Sequence, residues 1–140
     1  MTPLLDQLVE KYPGQVKVVF KNFPLRNHKM ARPAAQAAQA AHMQGQFWAY
    51  HDKVFANFSS LNEPMLAQFA AEVGLDLVKF NRDRTSPQVT KQISDDLRLG
   101  QVVGVRGTPT VFINGVLLKE RSLGGASLVV DAELKRLSGK

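Results

Sequence analysis

Few side chains of this sequence are equipped for chemistry, and the group best suited to reversible redox work is missing: its 140 residues include no cysteine. Making or breaking a disulfide begins with a thiolate, so no residue here can carry that step. The imidazoles are His28, His42 and His51, at spacings that match no usual zinc pattern and with no thiolate to complete a ligand set. Asp95 and Asp96 set two carboxylates side by side, but adjacent residues of a helix point apart, so they read as a solvated face. Gly104-Val105-Arg106-Gly107 is followed by no lysine and leads into a strand pattern, which argues against a phosphate loop. The expectation is no catalytic residue, no metal site and no cofactor. What remains is Gly107-Thr108-Pro109-Thr110, which runs straight into the apolar Val111-Phe112-Ile113 and the turn pair Asn114-Gly115.

The elements around that stretch follow from pattern. Thr2-Pro3 is a helix start, with a hydroxyl cap and a proline in the first turn, and Leu4, Leu5, Leu8, Val9 and Tyr12 form its stripe before Pro13-Gly14. Val16 to Phe23 reads as a strand with apolar residues on both faces, as in a sheet covered by helices. A helical block follows. It comprises Ala31 to Met43, Phe47 to Phe58, a helix capped by Asn62, a short helix over Leu77 to Arg84, and a last helix for whose cap Thr85 and Ser86 compete. In the second of these Phe47, Trp48 and Phe55 are expected in the core. Pro109 to Ile113 and Val116 to Leu118 then flank Asn114-Gly115, the strongest short hairpin signal. Gly124-Gly125 are expected to break the chain before a final helix carrying Leu128, Val129, Ala132, Leu134 and Leu137.

Composition bounds the rest. The net charge of +6 is spread along the chain rather than gathered into a run or stripe, so it reads as a solvated basic surface and no nucleic-acid partner is expected. No apolar run is long enough to span a membrane. The first residues show no basic segment followed by an apolar one, so no signal peptide is read there and the compartment is left open.

The order αβ, helical block, ββα resembles the DsbA-like branch of the thioredoxin superfamily. The resemblance rests on Val16-Lys17-Val18-Val19-Phe20-Lys21-Asn22-Phe23-Pro24-Leu25 with His28, and on Gln44-Gly45-Gln46-Phe47-Trp48-Ala49-Tyr50-His51-Asp52-Lys53-Val54-Phe55. It continues through Ala70-Ala71-Glu72-Val73-Gly74-Leu75-Asp76 and the segment Gly104 to Gly115. It implies an α/β, thioredoxin-like (DsbA-type) fold, one domain over residues 1–140 with a helical insertion over roughly 28–85. It implies descent from thiol-disulfide oxidoreductases, usually extracytoplasmic, that act on protein or peptide substrates. Relatives carry a central first strand and a Cys-x-x-Cys before the point that Met1-Thr2-Pro3 matches, so the expectation is an N-terminally truncated domain that performs no exchange itself.

Two further expectations follow from the resemblance. The bond before Pro109 is cis in relatives, where the residue in the place of Thr108 offers its backbone to an extended substrate, so Thr108 and Pro109 are the candidate substrate-binding residues. Loss of the first strand would strip ladder partners from both its neighbours, and unpaired backbone groups are costly when buried. The open edges are therefore expected to pair with another copy in a homo-oligomer. The alternative to an oxidoreductase fragment is a non-catalytic peptide-binding or assembly module that uses these edges and the Thr108–Pro109 loop.

Overall fold

The computed structural model describes residues 2–139, which gather into two compact units: the residues up to Phe20 together with those from Val105, and Lys21–Gly104 between them. In the second unit every regular element among the described residues is a helix. Helices α2 (Ala31–Met43), α3 (Phe47–Ala56), α4 (Glu63–Glu72), α5 (Leu77–Asp83) and α6 (Pro87–Val102) are joined by short turns, with a single 3₁₀ turn at Phe58–Ser60. The starts of α4, α5 and α6 are set by side-chain caps: Asn62, Asp76 and Ser86 accept from the amides of Met65, Lys79 and Val89. Ser86 thus caps α6, while Thr85 donates to the Arg82 carbonyl instead.

The core of this unit forms where the alanine face of α2 lets bulkier helices approach. Ala37, Ala40 and Ala41 are fully buried against Tyr50, Leu66 and Phe80. On α3 the buried residues are Phe47, Tyr50, His51 and Val54, which share one face at i, i+3, i+4 and i+7. Trp48 is 43% and Phe55 58% exposed, so the expectation that both lie in the core is corrected; helical phase, not aromatic size, decides the face. Tyr50 donates to the Leu66 carbonyl at 2.8 Å, which satisfies the polar end of a fully buried ring.

A second correction concerns Asp96. It is only 5% exposed, not on a solvated face. Its Oδ2 accepts from the Asn22 amide at 2.9 Å and from Asn22 Nδ2 at 2.8 Å, and its Oδ1 accepts from Gln92 Nε2 at 2.9 Å. The buried carboxylate thereby pins the segment after Lys21 to α6. Its neighbour Asp95 points outward and pairs with Lys91.

The other unit holds α1 (Thr2–Lys11), a hairpin of β1 (Phe112–Ile113) and β2 (Val116–Leu117), and α7 (Leu123–Ser138). Leu8 and Tyr12 pack against Leu118, Ala126 and Val130. The Tyr12 hydroxyl donates to Asp131 Oδ1 at 2.7 Å and Lys11 Nζ to Ser127 Oγ at 2.9 Å, tying α1 to α7. Asn114 and Gly115 both take positive φ, +47° and +82°, as the two-residue hairpin turn requires.

Two expectations fail in this unit. Gly124-Gly125 do not precede α7 but lie in its first turn, under the Ser122 cap. A Cβ at Gly125 would stand 2.6 Å from the Glu120 carbonyl oxygen, so glycine is needed for close approach, not for a break. Val16 to Phe23 is not a strand of any sheet; among the described residues the one ladder is β1 with β2. A β-strand is held by its neighbours rather than by its own sequence, and no ladder to this segment forms among the described residues.

Candidate functional site

Thr108 and Pro109 lie in an exposed loop leading into β1, and the peptide bond between them is cis. Two side chains brace this loop. Thr110 Oγ1 donates to the Gly107 carbonyl at 2.6 Å, closing the turn on itself. Arg121, from beyond the hairpin, donates through NH1 to the Pro109 carbonyl at 2.9 Å. Neither brace is signalled in the sequence, because both are side chain to backbone contacts without a motif. Between them the amide and carbonyl of Thr108 find no partner among the described residues.

The polarity of β1 extends this open backbone. Phe112 stands opposite Leu117 and Ile113 opposite Val116, and the Leu118 amide donates to the Val111 carbonyl at 2.9 Å. Successive residues of an antiparallel strand turn their amides and carbonyls to opposite sides. Val111 and Ile113 therefore bond toward β2, and Thr110 and Phe112 face the free edge. The hairpin tip is fastened to α7, where Asn114 Nδ2 donates to Glu133 Oε2 at 3.2 Å. Hydrogen bonds from Arg136, and then from Asn114, hold the Glu133 carboxyl below the usual glutamate range, so it is charged at neutral pH.

Residues 16–19 repeat the theme in the same unit. Val16 packs on the core that Val111 and Ile113 also line. Val16 and Val18 are half-buried, while Lys17 and Val19 are exposed, the alternation of an extended chain with one covered face. No backbone hydrogen bond of residues 16–19 is formed among the described residues.

The histidines are not gathered. His28 leans on the Phe58 ring at 5.8 Å, His42 meets the edge of Phe47, and His51 is buried beside Trp48 and stacked on Phe55 at 4.3 Å. Among the described residues no three of His, Asp and Glu come together as a metal would need.

A cysteine-free chain with this hairpin, this loop and a helical block between its two halves is a DsbA-like variant of the thioredoxin fold. The chain belongs to the Thioredoxin_4 family, whose model, described as thioredoxin, matches residues 1–131. Among solved structures it is similar to a thioredoxin-like oxidoreductase from Silicibacter pomeroyi DSS-3, with a TM-score of 0.80 and 27% identity, over 96% of this chain and 77% of that one. The fold is also that of the thiol-disulfide exchange protein alpha-DsbA2 from Wolbachia pipientis, with a TM-score of 0.77 and 21% identity, over 93% of this chain and 71% of that one. A Na(+)/H(+) antiporter NhaA from Herminiimonas arsenicoxydans is 34% identical over 114 residues, 81% of this chain and 18% of the antiporter. The chain spans less than a fifth of the length of the curated relatives it matches.

Proposed function

We propose that these 140 residues form a binding member of the DsbA-like family, holding an extended polypeptide along Thr108, Pro109 and the free edge of β1 without exchanging thiols. The observation that carries this reading is the unpartnered amide and carbonyl of Thr108, exposed in a loop that Thr110 and Arg121 hold in place. A peptide laid beside them gains main-chain hydrogen bonds as an added strand. Each such bond is worth about 0.5–1.5 kcal/mol net, so a few of them with modest apolar contact support weak binding, of roughly millimolar to micromolar strength. Thiol-disulfide exchange needs a sulfur that forms a mixed disulfide, and no side chain in this sequence supplies one. The antiporters lend no transport reading, because the match takes in so little of them.

The test is anisotropy of a fluorescein-labelled, cysteine-free unfolded peptide titrated with the protein. Saturable binding is expected. Thr108→Ala keeps the backbone donor and should bind as before, whereas Thr108→Pro removes the amide hydrogen and should abolish binding. Equal loss in both variants would mean that the side chain, not the backbone, is read. Insulin disulfide reduction should stay at the buffer rate throughout.

A second reading rests on the bare backbone of residues 16–19. Here the open edges pair with a second copy of the chain, giving a homo-oligomer. Sedimentation velocity at micromolar concentration should show a dimer or larger species; a single monomer boundary removes this reading and leaves the peptide one standing.

A further inference from the structure

A cleft of about 450 Å³ opens in the helical unit between the segment leading into α2 and the Leu97 and Gln101 side of α6. Phe23, Pro24, Leu25 and Leu97 give it an apolar wall, and Arg26, Lys29 and Arg32 stand round it. Among the described residues no carboxylate lines the cleft. Lys21, Lys53, Arg82, Arg84 and Lys91 of the same unit each reach an acidic partner, Asp96, Glu72, Asp83, Glu63 and Asp95 respectively. Arg26, Lys29 and Arg32 reach none among the described residues, nor do Lys79 and Arg98, but only the first three line this cleft. The basic residues are scattered along the sequence, yet the turn at residues 26–30 and the start of α2 bring these three to one cavity.

Like charges gathered without a counter-charge repel one another, and an anion seated among them relieves that repulsion. An apolar wall beside them adds stabilisation only if the same ligand brings an apolar part to cover it. The volume falls within the range of sites that enclose small molecules. We propose that this cleft binds a small amphipathic anion. The guanidinium groups of Arg26 and Arg32 and the Lys29 ammonium hold its carboxylate, sulfonate or phosphate head, and Phe23, Leu25 and Leu97 cover its tail. Arginine's forked donors suit such a head group better than a point charge does. The site lies wholly within the helical unit and does not depend on the peptide-binding reading.

The test is calorimetric titration of the full chain at low ionic strength with decanoate, inorganic phosphate and decyltrimethylammonium. Decanoate should bind one to one, with phosphate and the cationic amphiphile each at least about tenfold weaker, a difference of about 1.4 kcal/mol. Arg26→Gln combined with Arg32→Gln should weaken decanoate by about tenfold or more, since it removes both charge-assisted donors to the head group. Lys29→Glu should act in the same direction, and thermal unfolding midpoints should stay unchanged because all three side chains are exposed. Undiminished affinity in these folded variants, or equal affinity for the cationic amphiphile, would overturn the proposal. Phosphate binding as tightly as decanoate would do the same. A lipid could offer the same head group, so phosphatidylglycerol vesicles are sedimented in parallel. Capture by vesicles without binding of free decanoate would make this a membrane-surface contact and sink the cleft.

Discussion

The helical unit and the hairpin unit answer the demand for backbone hydrogen bonds in opposite ways. In Lys21–Gly104 the bonds are local: each helix closes its own ladder, and Asn62, Asp76 and Ser86 take up amides at the helix starts. What remains polar inside is answered within the unit, as Asn22 is by Asp96 and Tyr50 by Leu66. The other unit relies on a ladder of two residues per strand, and sheet bonds need a neighbour that may be far away in sequence. It therefore leaves backbone open at residues 16–19, at Thr108 and along the outer edge of β1. A helical block can close its own hydrogen bonds, whereas an open strand edge leaves backbone groups that only a partner can pair.

The largest effect that sharpens this contrast is expected in the helical core. Phe80 is fully buried against the ring of Tyr50, with centroids 5.7 Å apart. Phe80→Ala should cost about 3–5 kcal/mol, read from urea unfolding followed by circular dichroism. A loss under 1 kcal/mol would mean that the unit is loosely packed. Next comes the buried carboxylate. Asp96→Ala leaves the Asn22 amide and Nδ2 without their acceptor and should cost about 2 kcal/mol, while Asp96→Asn keeps one carbonyl oxygen and should cost less. Equal losses from the two would show that charge, rather than hydrogen-bond acceptance, holds the segment. In the hairpin unit Gly125→Ala drives a methyl against the Glu120 carbonyl and should cost about 1–3 kcal/mol in the same assay. No loss there would show that the start of α7 yields.

What was readable in the sequence follows the same division. Asn62 as a cap, the span of α2 from Ala31 to Met43 and the Asn114-Gly115 turn are written in neighbouring residues, so local chemistry finds them. The strand read over Val16 to Phe23 carries a proper apolar pattern, yet pattern specifies a face and not a partner. Aromatic size points to Trp48 and Phe55, whereas helical phase picks out Phe47, Tyr50, His51 and Val54 as the buried face. Asn22 with Asp96, Arg121 with Pro109, and the meeting of Arg26 with Arg32 have no mark in the sequence, because each depends on where the backbone turns. At the candidate site, Thr108 and Pro109 stand out by type, but their exposure and their bracing do not.

The smallest of the expected effects tests whether the helical unit is closed to water. Burial, as the main cause, pushes the Tyr50 phenol far above its usual value near 10. The folded protein therefore keeps this proton where the unfolded chain gives it up. The resulting stability is fully present below pH 10 and is lost as the pH rises from there toward the folded value. Tyr50→Phe leaves the Leu66 carbonyl without its donor, so near pH 7 the variant should be less stable by about 1 kcal/mol. Above pH 10 the gap should narrow and then reverse, since phenylalanine has no proton to lose. Paired urea titrations at pH 7, 9 and 10.5 measure it. A constant gap would mean that Tyr50 ionises as freely folded as unfolded, and the helical unit would then be as open to solvent as the hairpin unit's edges.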